Sequence, residues 1–452
     1  MTRSTFAPVD AAWLAMEDPT NLMMVTGVLM LDGRVDRGRL RAVLEERLLS
    51  FSRFRQRVVE PPFGIGLPAW AGDESFDLDA HLHHVGLPEP AGQPALEALV
   101  SDLLSTPLDL TTSPWQIHVV DSGPDTVLVA RLHHCIADGI GLIRVLLSLT
   151  DTTARPRRAP ADGEQREATD PWVRAGSWLA GMSGELMRDP AGQALAAAGR
   201  GLGAAGTLAQ LTLLAPDPPT AIKGPLGVVK RAAWSVPLDL AAVKDAGRRN
   251  GATVNDLLLC AAAGGLRRYL AGRGDTVEGL EIRAAVPVNL RGPDRGHELG
   301  NRFGLVFLPL PLGIDDPLRR LREVHLRTAE LKSSLQPAVA FGVLHAIGVL
   351  PGPVKDRAVE FFGSKASTVM TNVPGPQQRL YLAGRPLRRV MFWVPQSGRL
   401  GLGLSILSYA GEVMIGVAAD AGLIPDPARI VEAFEDELRV LLAAHGEAPP
   451  SR

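Results

Sequence analysis

The run Trp115–Asp151, WQIHVVDSGPDTVLVARLHHCIADGIGLIRVLLSLTD, constrains the fold most. WQIHVVDS and DTVLVARLHH read as two adjacent strands joined by the Gly123-Pro124 turn. GIGLIRVLLSLTD, Gly139 to Asp151, then changes to helical spacing. The junction RLHHCIADGIG places His133 and His134 at a strand end and Asp138 near a helix N-cap.

On the residues alone, three readings of HHCIADG stay open. The first is a metal site. Adjacent histidines on a strand point to opposite sides, so both serve one ion poorly. HHxxxD also lacks the i, i+4 histidines of a helical zinc motif. No metal is expected. The second is a polar turn whose histidines are satisfied by backbone groups. The third is an acyl-transfer site, for which a base, a helix-capping carboxylate and a glycine permitting close approach are the parts.

The chain has 452 residues, which fits two domains of roughly 200 residues each. Apolar residues make up 46% and charged residues 21%, the composition of a soluble globular protein. A net charge of −2 gives no reason to expect nucleic acid as a partner. Cys135 and Cys260 form no CxxC pair, so reduced thiols and a cytoplasmic location are expected. The N-terminal stretch lacks a signal peptide, because Asp10, Glu17 and Asp18 interrupt any apolar core. AVAFGVLHAIGVLPGPV, Ala338 to Val354, is the nearest candidate for a spanning helix. It holds His345 and ends in prolines, so a buried helix is expected rather than a membrane span.

Elsewhere, Asp10 is a plausible N-cap for the helix AAWLAME, and Met24 to Gly33 reads as a strand. Val35 to Phe51 reads as an amphipathic helix, with Leu40, Val43, Leu44, Leu48 and Leu49 at 3- and 4-residue steps. Thr153 to Glu167 is the linker candidate, and Trp172 to Leu214 is an alanine- and glycine-rich helical region. A second αβ block starts near Val229, with a helix closed by Gly251. The expected division is 1–155, 156–228 and 229–452. The expected class is α/β (α+β), a mixed sheet with covering helices in each half. A large ligand would suit the interface between the halves.

HHCIADG has the form HHxxxDG, and the chain resembles the CoA-dependent acyltransferase superfamily there. Further strings resemble its bacterial wax ester synthase/diacylglycerol acyltransferase family, in order along the chain. They are Ala7-Pro8-Val9-Asp10 with Glu17, Ser113-Pro114-Trp115, Asn255-Asp256, Val286–Arg291, Leu299–Gly304, Asn372–Pro376 and Ser408–Asp420. The departures are Ala7, Val9 and the missing leucine before Trp115, which bear on substrate more than on chemistry.

The resemblance implies two chloramphenicol-acetyltransferase-like halves with an active-site tunnel between them. It implies long-chain acyl transfer from acyl-CoA to diacylglycerol or a long-chain alcohol, with acyl-CoA as substrate and no cofactor. His134 is then the general base, beside a mainly structural His133. Asp138 holds the turn. Gly139 lets the backbone approach substrate. Asn255 is the oxyanion-donor candidate, with an N-cap role as its plain alternative. Asn372 is a second donor or a turn residue. Glu17, Trp115, Pro374 and Gly375 are expected near substrate. Two readings compete: transfer to another hydroxylated lipid or polyketide, and a lipid-body-binding protein with a vestigial site. The acceptor's insolubility raises peripheral contact with a membrane or lipid inclusion, with Trp172, Trp178, Leu179, Met182, Leu186 and Met187 as one surface for it.

Three features are expected to be decoys. His81–His84 lacks a third ligand and reads as a solvated strand. GLGAAG, Gly201 to Gly206, follows a helical segment rather than a strand, so no dinucleotide site is expected. Cys135 sits too close in sequence to His134 to align as its nucleophile.

Overall fold

A computed structural model describes residues 3–62, 66–154, 206–290, 299–332, 334–350 and 352–444. The Thr153–Glu167 linker, GLGAAG and the Trp172–Leu214 region lie largely outside the described residues. Of the last, residues 206–213 are helical.

The strands in chain order are β1 Ser4–Thr5, β2 Met24–Leu31, β3 Gln56–Val59, β4 Ala69–Gly72, β5 Leu82–Gly86, β6 Trp115–Ser122, β7 Asp125–His133 and β8 Lys230–Trp234. There follow β9 Leu238–Asp239, β10 Ile282–Asn289, β11 Phe303–Leu310, β12 Thr368–Pro374, β13 Tyr381–Leu382, β14 Arg385–Trp393, β15 Leu402–Tyr409 and β16 Glu412–Asp420. One large sheet runs β13-β14-β2-β7-β6-β5. The other runs β11-β10-β12-β15-β16-β8, with β9 beside β16, and β1-β4-β3 form a small third sheet. Both large sheets mix parallel and antiparallel pairs. β2 is buried at every residue, as a central strand covered on both faces must be.

The halves are not consecutive in sequence. β13 and β14 come from the segment placed in the C-terminal half, yet β14 pairs with β2, Trp393 opposite Thr26. Tyr381 exchanges two backbone hydrogen bonds with Asp151, at 2.7 and 2.8 Å. The N-terminal sheet is therefore completed by a strand that chain order assigns elsewhere.

At the free edge of the second sheet, helix Gln93–Ser105 supplies what a missing strand would. Ser105 Oγ accepts Lys230 N at 2.8 Å, Ser101 Oγ accepts Ala232 N at 2.9 Å, and Glu97 Oε1 accepts Trp234 N at 3.2 Å. Four-residue steps on a helix meet two-residue steps on a strand, and the edge is satisfied.

Several local expectations need correction. Asp10 is not an N-cap: helix Pro8–Ala15 starts after Ala7, with proline in its first turn. The Val35–Phe51 helix is a short α-helix Arg37–Val43, capped by Asp36, that widens into a π turn over Leu44–Leu48. Its apolar positions Leu40, Val43, Leu44 and Leu48 are buried nonetheless. The Ala338–Val354 run is only half covered. Helix Gln336–Val349 buries Ala340, Leu344, Ile347 and Gly348, while Val349 is 60% exposed. His81 belongs to a 3₁₀ turn before β5 and is buried, not part of a solvated strand.

Candidate active site

β7 ends at His133, where the chain leaves the sheet. His134 N still donates to Met23 O at 2.8 Å, and Asp138 opens helix Gly139–Ser148. Asp138 caps it: one carboxylate oxygen accepts Gly141 N at 2.7 Å, the other accepts Arg302 N at 3.0 Å. The capping carboxylate thus also pins the segment before β11, which belongs to the other half. Asp138→Ala is expected to cost about 1–2 kcal/mol of stability, the loss of an N-cap. An unshifted urea midpoint would contradict this bracing.

The two histidines meet different surroundings. His133 Nδ1 accepts Cys135 N at 3.1 Å, and its Nε2 lies 3.4 Å from Glu17. Burial opposes charge on this ring, while Cys135 and Glu17 favour it and raise its pKa. A backbone N–H on Nδ1 requires a lone pair there, so in this geometry the ring proton sits on Nε2, facing Glu17. Glu17 in turn accepts Met23 N. His133 is occupied with holding the turn.

His134 is 3% exposed. Its ring stacks on Trp13 at 4.1 Å between centroids and lies 5.8 Å from Phe303. Burial pushes its pKa down to about 4, and His133 adds to this, while Asp138 opposes it. The ring is therefore neutral at pH 7. Its carbonyl oxygen accepts Asn301 Nδ2 at 3.0 Å. Asn301 also gives its backbone N and its Nδ2 to Asp10 Oδ1, at 3.1 and 2.7 Å. Trp13 stacks on the imidazole and Asn301 links His134 to Asp10, one helix from the start of the chain meeting one segment from the second half. Burial raises Asp10 to about 6, against its bonds to Asn301 and the attraction of Arg53.

Asn255 and Asn372 come together, with Asn372 Nδ2 donating to Asn255 Oδ1 at 2.9 Å. Asn255 is not the N-cap of helix Val254–Gly272. Thr253 is, in a capping box with Asp256. Asp256 also accepts His325 Nδ1 at 2.8 Å and Thr328 Oγ1 at 2.6 Å, which ties two helices together. Among the described residues no hydrogen bond links the asparagine pair to His134.

The remaining expected positions have structural partners. Trp115 is buried in the N-terminal core, its indole N–H on Phe54 O at 3.0 Å. Gly139 faces protein: a Cβ there would lie 3.2 Å from Val394 Cγ1. Pro374 ends β12, and Gly375 N donates to Ser408 O at 2.7 Å, too close to that carbonyl for any side chain. His81 Nδ1 bonds Trp115 O at 2.7 Å, and no cluster of three metal-ligating side chains occurs among the described residues. Cys135 and Cys260 are free and buried.

Sequence reasoning missed Asn301, Trp13 and the true partner of Asp10. The signal was present in the last case: a carboxylate on the inner side of the apolar helix PVDAAWLA needs a buried donor.

Two mixed sheets joined by an exchanged strand, with a buried histidine where they meet, give the two-half, chloramphenicol-acetyltransferase-like class of fold. The chain belongs to the wax ester synthase/diacylglycerol acyltransferase family. The family's catalytic-domain model matches residues 6–258 and its C-terminal-domain model matches 299–442. A probable diacylglycerol O-acyltransferase, tgs1, of Mycobacterium tuberculosis is 30% identical over 448 residues, covering 96% of this chain and 95% of that one. The wax ester synthase/diacylglycerol acyltransferase of Marinobacter aquaeolei superposes with a TM-score of 0.68 at 20% identity, covering 97% and 98% of the two chains. The first condensation domain of the calcium-dependent antibiotic synthetase gives 0.59 at 15% identity, covering 98% and 96%.

Proposed function

We propose that this protein transfers a long-chain acyl group from acyl-CoA to the hydroxyl of diacylglycerol or of a long-chain alcohol. The observation that carries the reading is the buried, uncharged His134 at the meeting of the halves. Its Nε2 takes the hydroxyl proton as that oxygen attacks the thioester carbonyl. The tetrahedral intermediate collapses, the C–S bond breaks, and the imidazolium returns the proton to the CoA thiolate. One base serving both substrates needs no acyl-enzyme and no cofactor. His133 is unsuited to the role, because its Nδ1 is taken by a backbone donor.

Asn255 serves as oxyanion donor: Asn372 engages its oxygen, which leaves its NH₂ to donate. The mycobacterial relative is named for diacylglycerol and the marine one for wax ester synthesis as well, which supports both acceptors. Such acceptors reside in lipid, so the protein works peripherally at a lipid surface. Among the described residues no helix is long and apolar enough to cross a membrane.

The test is direct. The full chain is incubated with palmitoyl-CoA and either dioleoylglycerol or hexadecanol, with thin-layer separation of the lipids. Triacylglycerol, wax ester or both are expected, with one CoA thiol per ester. Thiol release without either ester would sink the acceptor assignment.

A further inference from the structure

We infer that Asn301 is a positioning residue for His134, oriented by Asp10, and that it decides which imidazole nitrogen carries the proton. The inference rests on His134 being the base. Asp10 Oδ1 takes two donors from Asn301, the backbone N and Nδ2. The second Nδ2 hydrogen goes to the His134 carbonyl. The amide therefore cannot flip. Reversed, its oxygen would face a carboxylate and a carbonyl, acceptor against two acceptors. Asp10 thereby fixes where Asn301 Oδ1 points.

Asn301 Oδ1 and His134 Nδ1 are both buried, and neither has a hydrogen-bond partner among the described residues, so each is a group the other could satisfy. The acceptors these two residues offer to Nδ1 are Asn301 Oδ1 and the His134 carbonyl, which Asn301 Nδ2 already engages. Asn301 supplies the first and holds the second. An acceptor at Nδ1 keeps the proton there and leaves the lone pair on Nε2, the nitrogen a base needs. Trp13 fixes the ring plane by stacking. The charged and titratable groups around this assembly are Asp138 and His133 toward His134, and Arg53 and Asp138 toward Asp10.

Two variants and two readouts test this. With palmitoyl-CoA and dioleoylglycerol, Asn301→Ala is expected to lower kcat about 10- to 100-fold, the effect of losing a group that orients a functional histidine. The KM for palmitoyl-CoA should stay within about twofold, since uniform binding is untouched. Asp10→Asn, which lets the amide reverse, should lower kcat in the same direction. ¹⁵N-histidine NMR should place the His134 proton on Nδ1 in the parent chain and redistribute it toward Nε2 in Asn301→Ala. Unchanged kcat in Asn301→Ala, or an unchanged tautomer, overturns the positioning role. If Asn301→Ala is silent while His134→Ala is inactive, only this inference falls. If His134→Ala is active, the base assignment falls with it. Should Asn301→Ala fail to fold, the Asp10→Asn tautomer decides alone.

Discussion

His134→Ala is expected to lower kcat about 10²- to 10⁴-fold, the span of one positioned proton-transfer group. The fold should survive: the ring's contacts are a stack on Trp13 and an edge toward Phe303, while the turn is held by backbone groups and Asp138. The pH profile gives a sharper signature. The catalytic form is neutral imidazole, and burial holds the pKa at about 4. Activity is therefore retained above that value and lost below it. The acidic limb of kcat/KM should fall near pH 4, where an unburied histidine would give about 6.5. The same shift costs stability in acid. The unfolded chain takes up this proton near 6.5 and the native one near 4, so stability declines as pH falls through that window. Circular dichroism at each pH separates unfolding from protonation of the base. Full thiol release by His134→Ala would end the assignment.

Much of the N-terminal sheet was legible because its determinants are local. Alternation, the Gly123 turn at φ +59° and the Asp138 cap all act within a few residues, and β6, β7 and the following helix lie where the sequence places them. Gly251, at φ +63°, closes helix Leu240–Arg249 for the same reason. What failed was long-range. Asp10 before AAWLAME carries every local mark of an N-cap, yet its partner Asn301 is 291 positions away. No window of sequence contains that pair. β14 likewise reads as an ordinary strand of the second half, and only its pairing with β2 reveals the exchange. Trp115, Gly139 and Gly375 were placed near substrate on resemblance. Each also has a packing contact, and a recurring motif does not tell packing from substrate contact. Asn301 lay inside the recognised string Leu299–Gly304, but a string carries no geometry.

These long-range ties share a mechanical consequence. The helix that carries Asp10 and Trp13 is pressed against helix Gln336–Val349 of the second half, and the contact point is Gly348. A Cβ on Gly348 would overlap the Pro8 carbonyl oxygen, which is backbone and cannot swing aside. Gly348→Ala must therefore separate the two helices. The expected cost is about 1–3 kcal/mol of stability, as for overpacked cores. Activity should fall as well, because the displaced helix bears both the stack on His134 and the carboxylate that orients Asn301. Gly342, six positions earlier on the same helix, is exposed, and a Cβ there meets nothing within 4 Å. Gly342→Ala should stabilise by about 0.5–1 kcal/mol, the ordinary gain from replacing a mid-helix glycine. The pair separates helix propensity from helix packing. Thermal midpoints and kcat measured side by side should move in opposite directions for stability, with kcat reduced only in Gly348→Ala. Two variants that moved together would mean that the crossing at Gly348 does not brace the site.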